Sequence, residues 1–315
     1  MQRGTIFADL HTHTTASDGA HTPTMLVQRA FERAVKAIAI TDHDTVAGVQ
    51  EARQAAEERG MTFLSGIEIS ATLHTATLGN KLHQREVHIL GYGVDEQHRA
   101  LQKYALRCNT EREQRAERIL TRLAELGKPL TLAEVQAVSG KGVIGRHHIA
   151  IALRNAGFVR TVRESFDKYL ADDAPAAVPK WSFPADKAIC LIHDAGGVAV
   201  LAHPARVVSA EDLETLTNAG LDGIEIHHPA HDGETAQYYD YYTRQHAMLA
   251  SGGSDYHGGS KRDDSNLGRF GLVRDDFTQF LEALHLRRAA NAASDTAQKR
   301  SPEQRIKHLF SRFLA

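Results

Sequence analysis

Short apolar runs alternate along the chain with longer stretches whose apolar residues recur at helical spacing, so strands and helices are expected to follow one another in turn. Residues 5–10 read as a first strand. Thr22-Pro23 then opens a helix, a capping hydroxyl followed by proline in the first turn, and Leu26, Val27, Ala30, Phe31 and Ala34 share one of its faces. A strand over 37–41, a helix over 45–59 closed by Gly60 and a strand over 62–69 complete a βαβαβ unit. Such a unit demands parallel pairing and right-handed crossovers. Residues 71–85, polar and carrying Gly79-Asn80, read as a loop or short hairpin before a strand over 87–92.

The alternation stops from 96 to 180. One long amphipathic helix is predicted over 96–126, ended by Gly127, with shorter ones over 132–138, 146–156 and 162–170 before a linker holding Pro175 and Pro179. A block without strands is most simply an insertion into a β/α domain. The rhythm resumes at Pro184, with strands over 198–202, 223–226 and 248–251 separated by helices over 210–219 and 234–246. A helix over 276–289, a polar stretch and a basic amphipathic end follow. The expected division is a barrel built from 1–95 and 181–290, a helical insertion over 96–180 and a tail helix over 291–315. No repeat of fixed period is present.

Composition narrows the function classes. At 315 residues and 42% hydrophobic content the chain can bury a sizeable core. Lys+Arg at 37 against Asp+Glu at 39 gives a net charge of -2, so no global basic field points to nucleic-acid binding, although a small anionic substrate stays open. Cys108 and Cys190 are the only cysteines and lie far apart, which argues against a disulfide framework or a zinc ribbon. No apolar run approaches the ~18 residues of a membrane span, and no signal-type segment precedes the first strand, so a cytoplasmic protein is expected. The unusual number is 19 histidines.

Their placement carries the chemistry. His, Asp and Glu cluster where apolar runs end: A-D-L-H-T-H at 8–13, I-A-I-T-D-H-D at 38–44, F-L-S-G-I-E-I-S at 63–70, E-V-H-I-L-G-Y at 86–92, V-A-V-L-A-H-P at 198–204, G-I-E-I-H-H at 223–228 and G-G-S-D-Y-H at 252–257. Ligand-type residues at seven strand ends favour a closed or nearly closed barrel with its site where the loops converge. A doubly wound open sheet, the alternative, concentrates chemistry at one switch point. His11 and His13 are two apart on a strand, so both imidazoles leave the same face and can grip one ion. Glu68, at a neighbouring strand end, can bridge two ions. So many His and carboxylate groups gathered near one point without a cation would carry desolvation and like-charge costs that no ordinary core tolerates. A mixed nitrogen and oxygen ligand set without cysteine suits Mn²⁺, Fe²⁺ or Zn²⁺ better than Ca²⁺, and Mn²⁺ is the expected ion.

In order and placement these motifs resemble the polymerase and histidinol phosphatase (PHP) superfamily, over residues 5–273. The insertion, with I-G-R-H-H-I-A-I-A-L-R-N-A-G and F-D-K-Y-L, looks like that of the stand-alone bacterial phosphoesterases, which act on nucleoside 3′,5′-bisphosphates or trim short RNAs from the 5′ end. The resemblance implies a distorted seven-stranded (β/α) barrel with a helical insertion and two or three divalent metal ions per chain. It assigns His11, His13, Glu68 and Asp255 to a first position, Glu68, His88 and His148 to a second, and Asp18, His43, His203 and His257 to a third. Where the family pattern reads Arg-Pro-His or Arg-Gly-His, this chain has Arg146-His147-His148, and His148 aligns with the ligand.

The expected reaction is hydrolysis of a phosphomonoester or terminal phosphodiester by in-line attack of water, with Glu68 bridging the cations and His203 or His257 protonating the leaving oxygen. Arg146 and Arg206 lie beside ligand positions and are candidate phosphate contacts, since guanidinium forks match phosphate oxygens. Asp42 or Asp44 is a candidate to orient an imidazole, Asp44 being equally a helix cap. Glu225, His227 and His228 are candidate rim groups, and Trp181 is read as packing at the linker. Gly252-Gly253 reads as a close approach of backbone to the site. The insertion would act as a lid that shapes the substrate pocket. The expected partner is a phosphorylated nucleotide or short RNA, with no membrane and no obligate protein partner. A phosphatase of a non-nucleotide metabolite such as histidinol phosphate and a non-catalytic metal-bound module are the alternatives.

Overall fold

Seven strands pair in sequence order, β1 to β7, in a computed structural model that describes residues 4–76, 82–140, 142–205 and 208–298. Strand β1 (Ala8–Asp9) pairs parallel with β2 (Ala37–Ile40), and β2 pairs parallel with β3 (Thr62–Ala76). Helices α1 (Pro23–Glu32) and α2 (Val49–Glu57) make the crossovers. Thr22 caps α1 by accepting the Met25 N–H, as its sequence predicts. The buried faces of both helices pack on Ile38 and Ile40 of β2.

The direction then reverses. Strand β4 (Leu82–Tyr92) runs antiparallel to β3, in register from Gly66 against Tyr92 to Ala76 against Leu82, and is antiparallel again to β5 (Val198–Leu201). Of the expected loop or short hairpin at 71–85, residues 77–81 lie outside the described residues, and residues 71–76 and 82–85 instead extend β3 and β4 into a long two-stranded arm. Its cause is visible in the chain: Ile67, Ile69, Ala71 and Leu73 continue the period of two and are all buried on one face. Parallel order returns with β6 (Gly223–His227) and β7 (Leu249–Gly252). Beyond the strand ends, Leu10 N–H donates to Gly252 O (3.2 Å) and His13 N–H to Tyr256 O (2.8 Å), so the barrel nearly closes between β1 and β7.

Inside the barrel Leu10, Leu64, Leu90, Tyr92, Val198 and Val200 meet Phe277, Phe280 and Leu284 of α11 (Arg274–Gln298), which closes one end. The Tyr92 and Phe280 rings meet edge to face at 5.4 Å. Helix α11 runs on past the predicted end at 289. Residues 299–315, which hold most of the expected tail helix, lie outside the described residues.

The insertion carries an apolar cluster of its own. Helix α3 (Arg99–Glu125) packs Leu101, Tyr104 and Cys108 on the barrel, and Ala116, Ile119, Leu120 and Leu123 on α4 (Leu132–Ser139), α5 (Arg146–Asn155) and α6 (Val162–Ser165). The helix expected over 162–170 divides into α6 and a π-helical turn over Phe166–Leu170. Helices α7 (Ala185–Asp194), α8 (Ala210–Asn218) and α9 (Gly233–Gln245) cover the later strands, and a short α10 (Lys261–Asn266), absent from the sequence reading, is capped by Ser260. Among the described residues no helix is long and apolar enough to cross a membrane.

Candidate metal centre

His11 and His13 are fully buried and both face the barrel mouth, as the spacing of two requires. Thr12 between them turns the other way, its Oγ1–H donating to Ala39 O at 2.7 Å and so tying this segment to β2. Asp9, also fully buried, accepts the N–H groups of Ser254 (2.9 Å) and Gly268 (3.2 Å). Burial pushes its carboxyl up to about 6, and those N–H groups hold it from rising further.

Glu68 is the hub. With no exposed surface, it has its Oε2 at 3.2 Å from His11 Nε2, 3.2 Å from His13 Nε2 and 3.0 Å from His43 Nδ1; its Oε1 lies 2.7 Å from His88 Nδ1 and 3.0 Å from His203 Nε2. Asp255 faces the first two imidazoles, Oδ1 at 3.4 Å from His11 Nε2 and 3.1 Å from His13 Nε2. Asp18 faces the other side, 3.9 Å from His43 Nε2 and 3.4 Å from His257 Nε2. Three of the four groups of possible ligands among the described residues form around these carboxylates: His11, His13, Glu68 and Asp255; His43, Glu68 and His88; and His13, Asp18, His43 and His257.

Orphaned atoms show that cations fit these groups. His11 Nε2, His13 Nε2, His43 Nδ1, Glu68 Oε2 and Asp18 Oδ1 are buried, close to one another, and make no well-formed hydrogen bond. Nitrogen and oxygen lone pairs converging on a common centre suit an ion better than each other. Without cations, the carboxylates can be compensated only by protons on the imidazoles. Burial pulls His13 and His88 down, but Asp255 and Glu68 outweigh it at His13, pushing it up to about 10, and Glu68 foremost does so at His88, pushing it to about 9. His43 goes the opposite way, to about 3, because burial outweighs Glu68.

Asp42 does not orient an imidazole. It accepts Thr14 N–H (2.7 Å), Thr14 Oγ1–H (2.7 Å) and Ser17 Oγ–H (2.6 Å), folding the turn that presents Asp18. Asp44 does not cap α2, whose cap position is Gly48. Its oxygens accept Ser70 N–H (2.8 Å), Tyr104 OH (2.6 Å) and a guanidinium N–H of Arg112, which fastens α3 to the segment carrying His43. Burial opposes its charge, but Arg112 and Lys180 hold the carboxyl down at about 2.

Two expected ligands are placed differently. His203 belongs beside Glu68 and His88, not with Asp18: it follows β5, the neighbour of β4, whereas Asp18 and His257 lie on the β1 and β7 side. His148 is buried in the first turn of α5 but joins none of the ligand groups among the described residues. Its Nδ1 accepts the Gly145 N–H at 3.0 Å, so the neutral ring carries its proton on Nε2 and offers a donor instead of a lone pair. His147 beside it is exposed. His257 donates Nδ1–H to Asp255 O (2.9 Å), which turns the Nε2 lone pair toward Asp18 and suits a ligand instead of a proton donor.

Arg146 donates to Leu170 O (3.0 Å) and Asp172 Oδ1 (2.6 Å), and Arg206 lies outside the described residues. Sequence reasoning missed the neighbours of Arg146. Arg112 and Arg115 line one small cleft with Arg146 and another with Lys180 and Ser70. Burial, then Arg146 and Arg112, pull the Arg115 guanidinium down to about 10, as expected where like charges crowd. Trp181 is packing: the Arg107 guanidinium lies 4.7 Å over its ring and Phe183 stacks at 5.6 Å.

The PHP domain model matches residues 9–176, more than half of the chain. The chain belongs to the PHP family. Its relatives include the 5′-3′ exoribonuclease Rnm of Escherichia coli (strain K12), 35% identical over 259 residues that cover 80% of this chain and 85% of the relative. The 3′,5′-nucleoside bisphosphate phosphatase of Chromobacterium violaceum is 35% identical over 262 residues, 79% and 86% of the two chains. A Bifidobacterium adolescentis structure assigned to the metal-dependent phosphoesterases superposes with a TM-score of 0.76 at 32% identity, covering 88% of this PHP chain and 96% of the other.

Proposed function

We propose that the protein is a metal-dependent phosphoesterase of nucleotides, removing the 3′-phosphate of nucleoside 3′,5′-bisphosphates and trimming short RNA from the 5′ end. The observation that carries this reading is the row of Arg112, Arg115, Arg146 and Lys180 lining clefts beside the ligand cluster. A cation centre alone serves any phosphate ester, whereas a separate set of guanidinium and ammonium groups suits a substrate with a second phosphate. Both named relatives act on nucleotide or RNA substrates, which supports the same choice.

In this reading two or three divalent cations, Mn²⁺ before Fe²⁺ or Zn²⁺, would be held by His11, His13, Asp18, His43, His88, His203, Asp255 and His257, with Glu68 shared between two of the positions. Bound there, the cations supply an acidified water and neutralise charge on the phosphoryl oxygens. The chain supplies the rest. Arg115 and Arg146 orient the second phosphate, and the Nε2–H of His148 donates to a phosphate oxygen at the mouth. The insertion covers the pocket and excludes water. Cys108 and Cys190 are unpaired, as suits a cytoplasmic enzyme with such substrates.

Phosphate release from adenosine 3′,5′-bisphosphate, adenosine 5′-monophosphate and histidinol phosphate, each with Mn²⁺, tests the reading. The bisphosphate is expected to show a kcat/KM about tenfold or more above the other two, a difference of about 1.4 kcal/mol or more. Arg115→Ala should shrink that preference while hydrolysis persists. Equal rates on all three, or preference for histidinol phosphate, would remove the nucleotide assignment.

A further inference from the structure

Glu225 occupies the middle of β6 between Ile224 and Ile226, which point outward into the helix-covered core. Its own side chain points inward and is fully buried. An isolated carboxylate there would carry a heavy desolvation penalty, so its partners matter. Among the described residues it makes two hydrogen bonds: Oε1 lies 3.0 Å from His11 Nδ1, and Oε2 accepts the His203 backbone N–H at 2.8 Å. We infer that Glu225 is a positioning residue that fixes which ring nitrogen of His11 faces the cation and holds His203 in place, and so sets the affinity of the cation position built on His11. The inference rests on the metal reading of the site.

The proton arrangement follows from the contacts. When Nδ1–H donates to Glu225, the neutral His11 ring must present a lone pair on Nε2. That nitrogen faces Glu68 Oε2 at 3.2 Å and Asp255 Oδ1 at 3.4 Å. A carboxylate behind the ring also strengthens the opposite nitrogen as a donor to metal. His203 needs holding for a different reason. Its φ is +26°, in a region that a residue with a side chain rarely adopts, and Ala205 follows at +45°. Further contacts from the β6 side pin the same loop: Ala205 N–H donates to His231 Nε2 (3.0 Å), and Tyr239 OH donates to Ala205 O (2.8 Å).

His11, Glu225 and His228 also satisfy the spacing of a separate cation site. Their hydrogen bonds argue against it. Both Glu225 oxygens are engaged, and His228 Nδ1 accepts the Ala230 N–H at 3.0 Å, which puts the proton of the neutral ring on Nε2. That Nε2 lies 3.4 Å from Asp255 Oδ2, so His228 supports a second ligand of the same cation position.

Mn²⁺ binding to wild type and Glu225→Gln, counted by elemental analysis and titrated calorimetrically, tests this. A glutamine offers one oxygen and one NH₂ to two N–H donors, so either His11 or His203 loses its acceptor. One Mn²⁺ position is expected to weaken about 10- to 100-fold, the others to keep their affinity and the thermal melt to stay cooperative. Unchanged affinity at every position would overturn the inference, as would an Mn²⁺ lost outright from a fourth, independent site. If wild type itself bound no Mn²⁺, the site reading would fail instead. Should the variant not fold, ¹⁵N-histidine spectra of the Zn²⁺-loaded wild type decide: the proton of His11 must be on Nδ1, and a proton on Nε2 overturns it.

Discussion

Glu68→Gln is expected to lower turnover by roughly 10³-fold or more, the equivalent of about 4 kcal/mol of transition-state stabilisation, while the protein stays folded. Five imidazoles approach this one carboxylate within 3.2 Å, from the segments that follow β1, β2 and β5 and from the β4 arm. Glutamine keeps the shape but removes the charge that two cation positions share, and its NH₂ group faces nitrogen lone pairs instead of an ion. No neighbouring carboxylate can substitute, because Asp255 serves one side of the cluster and Asp18 the other. Steady-state phosphate release with saturating Mn²⁺, alongside a circular dichroism melt, measures the effect. A well-folded variant of unchanged turnover would show that Glu68 is not the bridge.

Gly253→Ala should be nearly as damaging although residue 253 is not itself one of the candidate ligands. An added Cβ at 253 would lie 2.3 Å from His11 N, 2.4 Å from His11 Cβ and 2.8 Å from His11 Cα. These atoms belong to the strand end, so they yield only if β1 moves. Overpacking of this kind costs about 1–3 kcal/mol or more, and a displacement of about 1 Å in a site can cost about 10²-fold in rate. The melting temperature and the Mn²⁺-dependent rate should both fall. A variant matching wild type in both would mean that the close approach of the β7 end to His11 does not hold in solution.

The close approach at Gly252-Gly253 was legible from the pair of glycines. The strand ends that carry His11, His43, His203 and Asp255 were legible because each of these ligand-type residues follows its apolar run. In E-V-H-I-L-G-Y the order is reversed, with His88 ahead of Ile89, Leu90 and Tyr92. That reversal is the trace of β4 running antiparallel, since a strand entering from the mouth meets the ligand level first. Local periodicity carries no pairing direction, so the arm reads as a loop or short hairpin until the partners are seen.

Arg112 and Arg115 were hidden in a similar way. They continue the buried stripe of α3 through Tyr104, Cys108 and Ile119, and guanidinium groups on an apolar stripe were the available signal. His148 matched the ligand pattern by alignment, yet its role depends on which ring nitrogen the Gly145 N–H occupies, and spacing does not encode that. Glu225 sits between two isoleucines, where a carboxylate on an inward-facing strand position marks a buried partner, but its partner His11 lies 214 residues away.

Elemental analysis of purified protein after reconstitution with Mn²⁺ tests the central claim most directly. Two or three Mn²⁺ per chain are expected, bound with affinity enough to survive gel filtration, because His11, His13, Asp18, His43, Glu68, His88, His203, Asp255 and His257 bring their ligand atoms together at the barrel mouth. A reconstituted, folded protein that holds no Mn²⁺, Fe²⁺ or Zn²⁺ would contradict it.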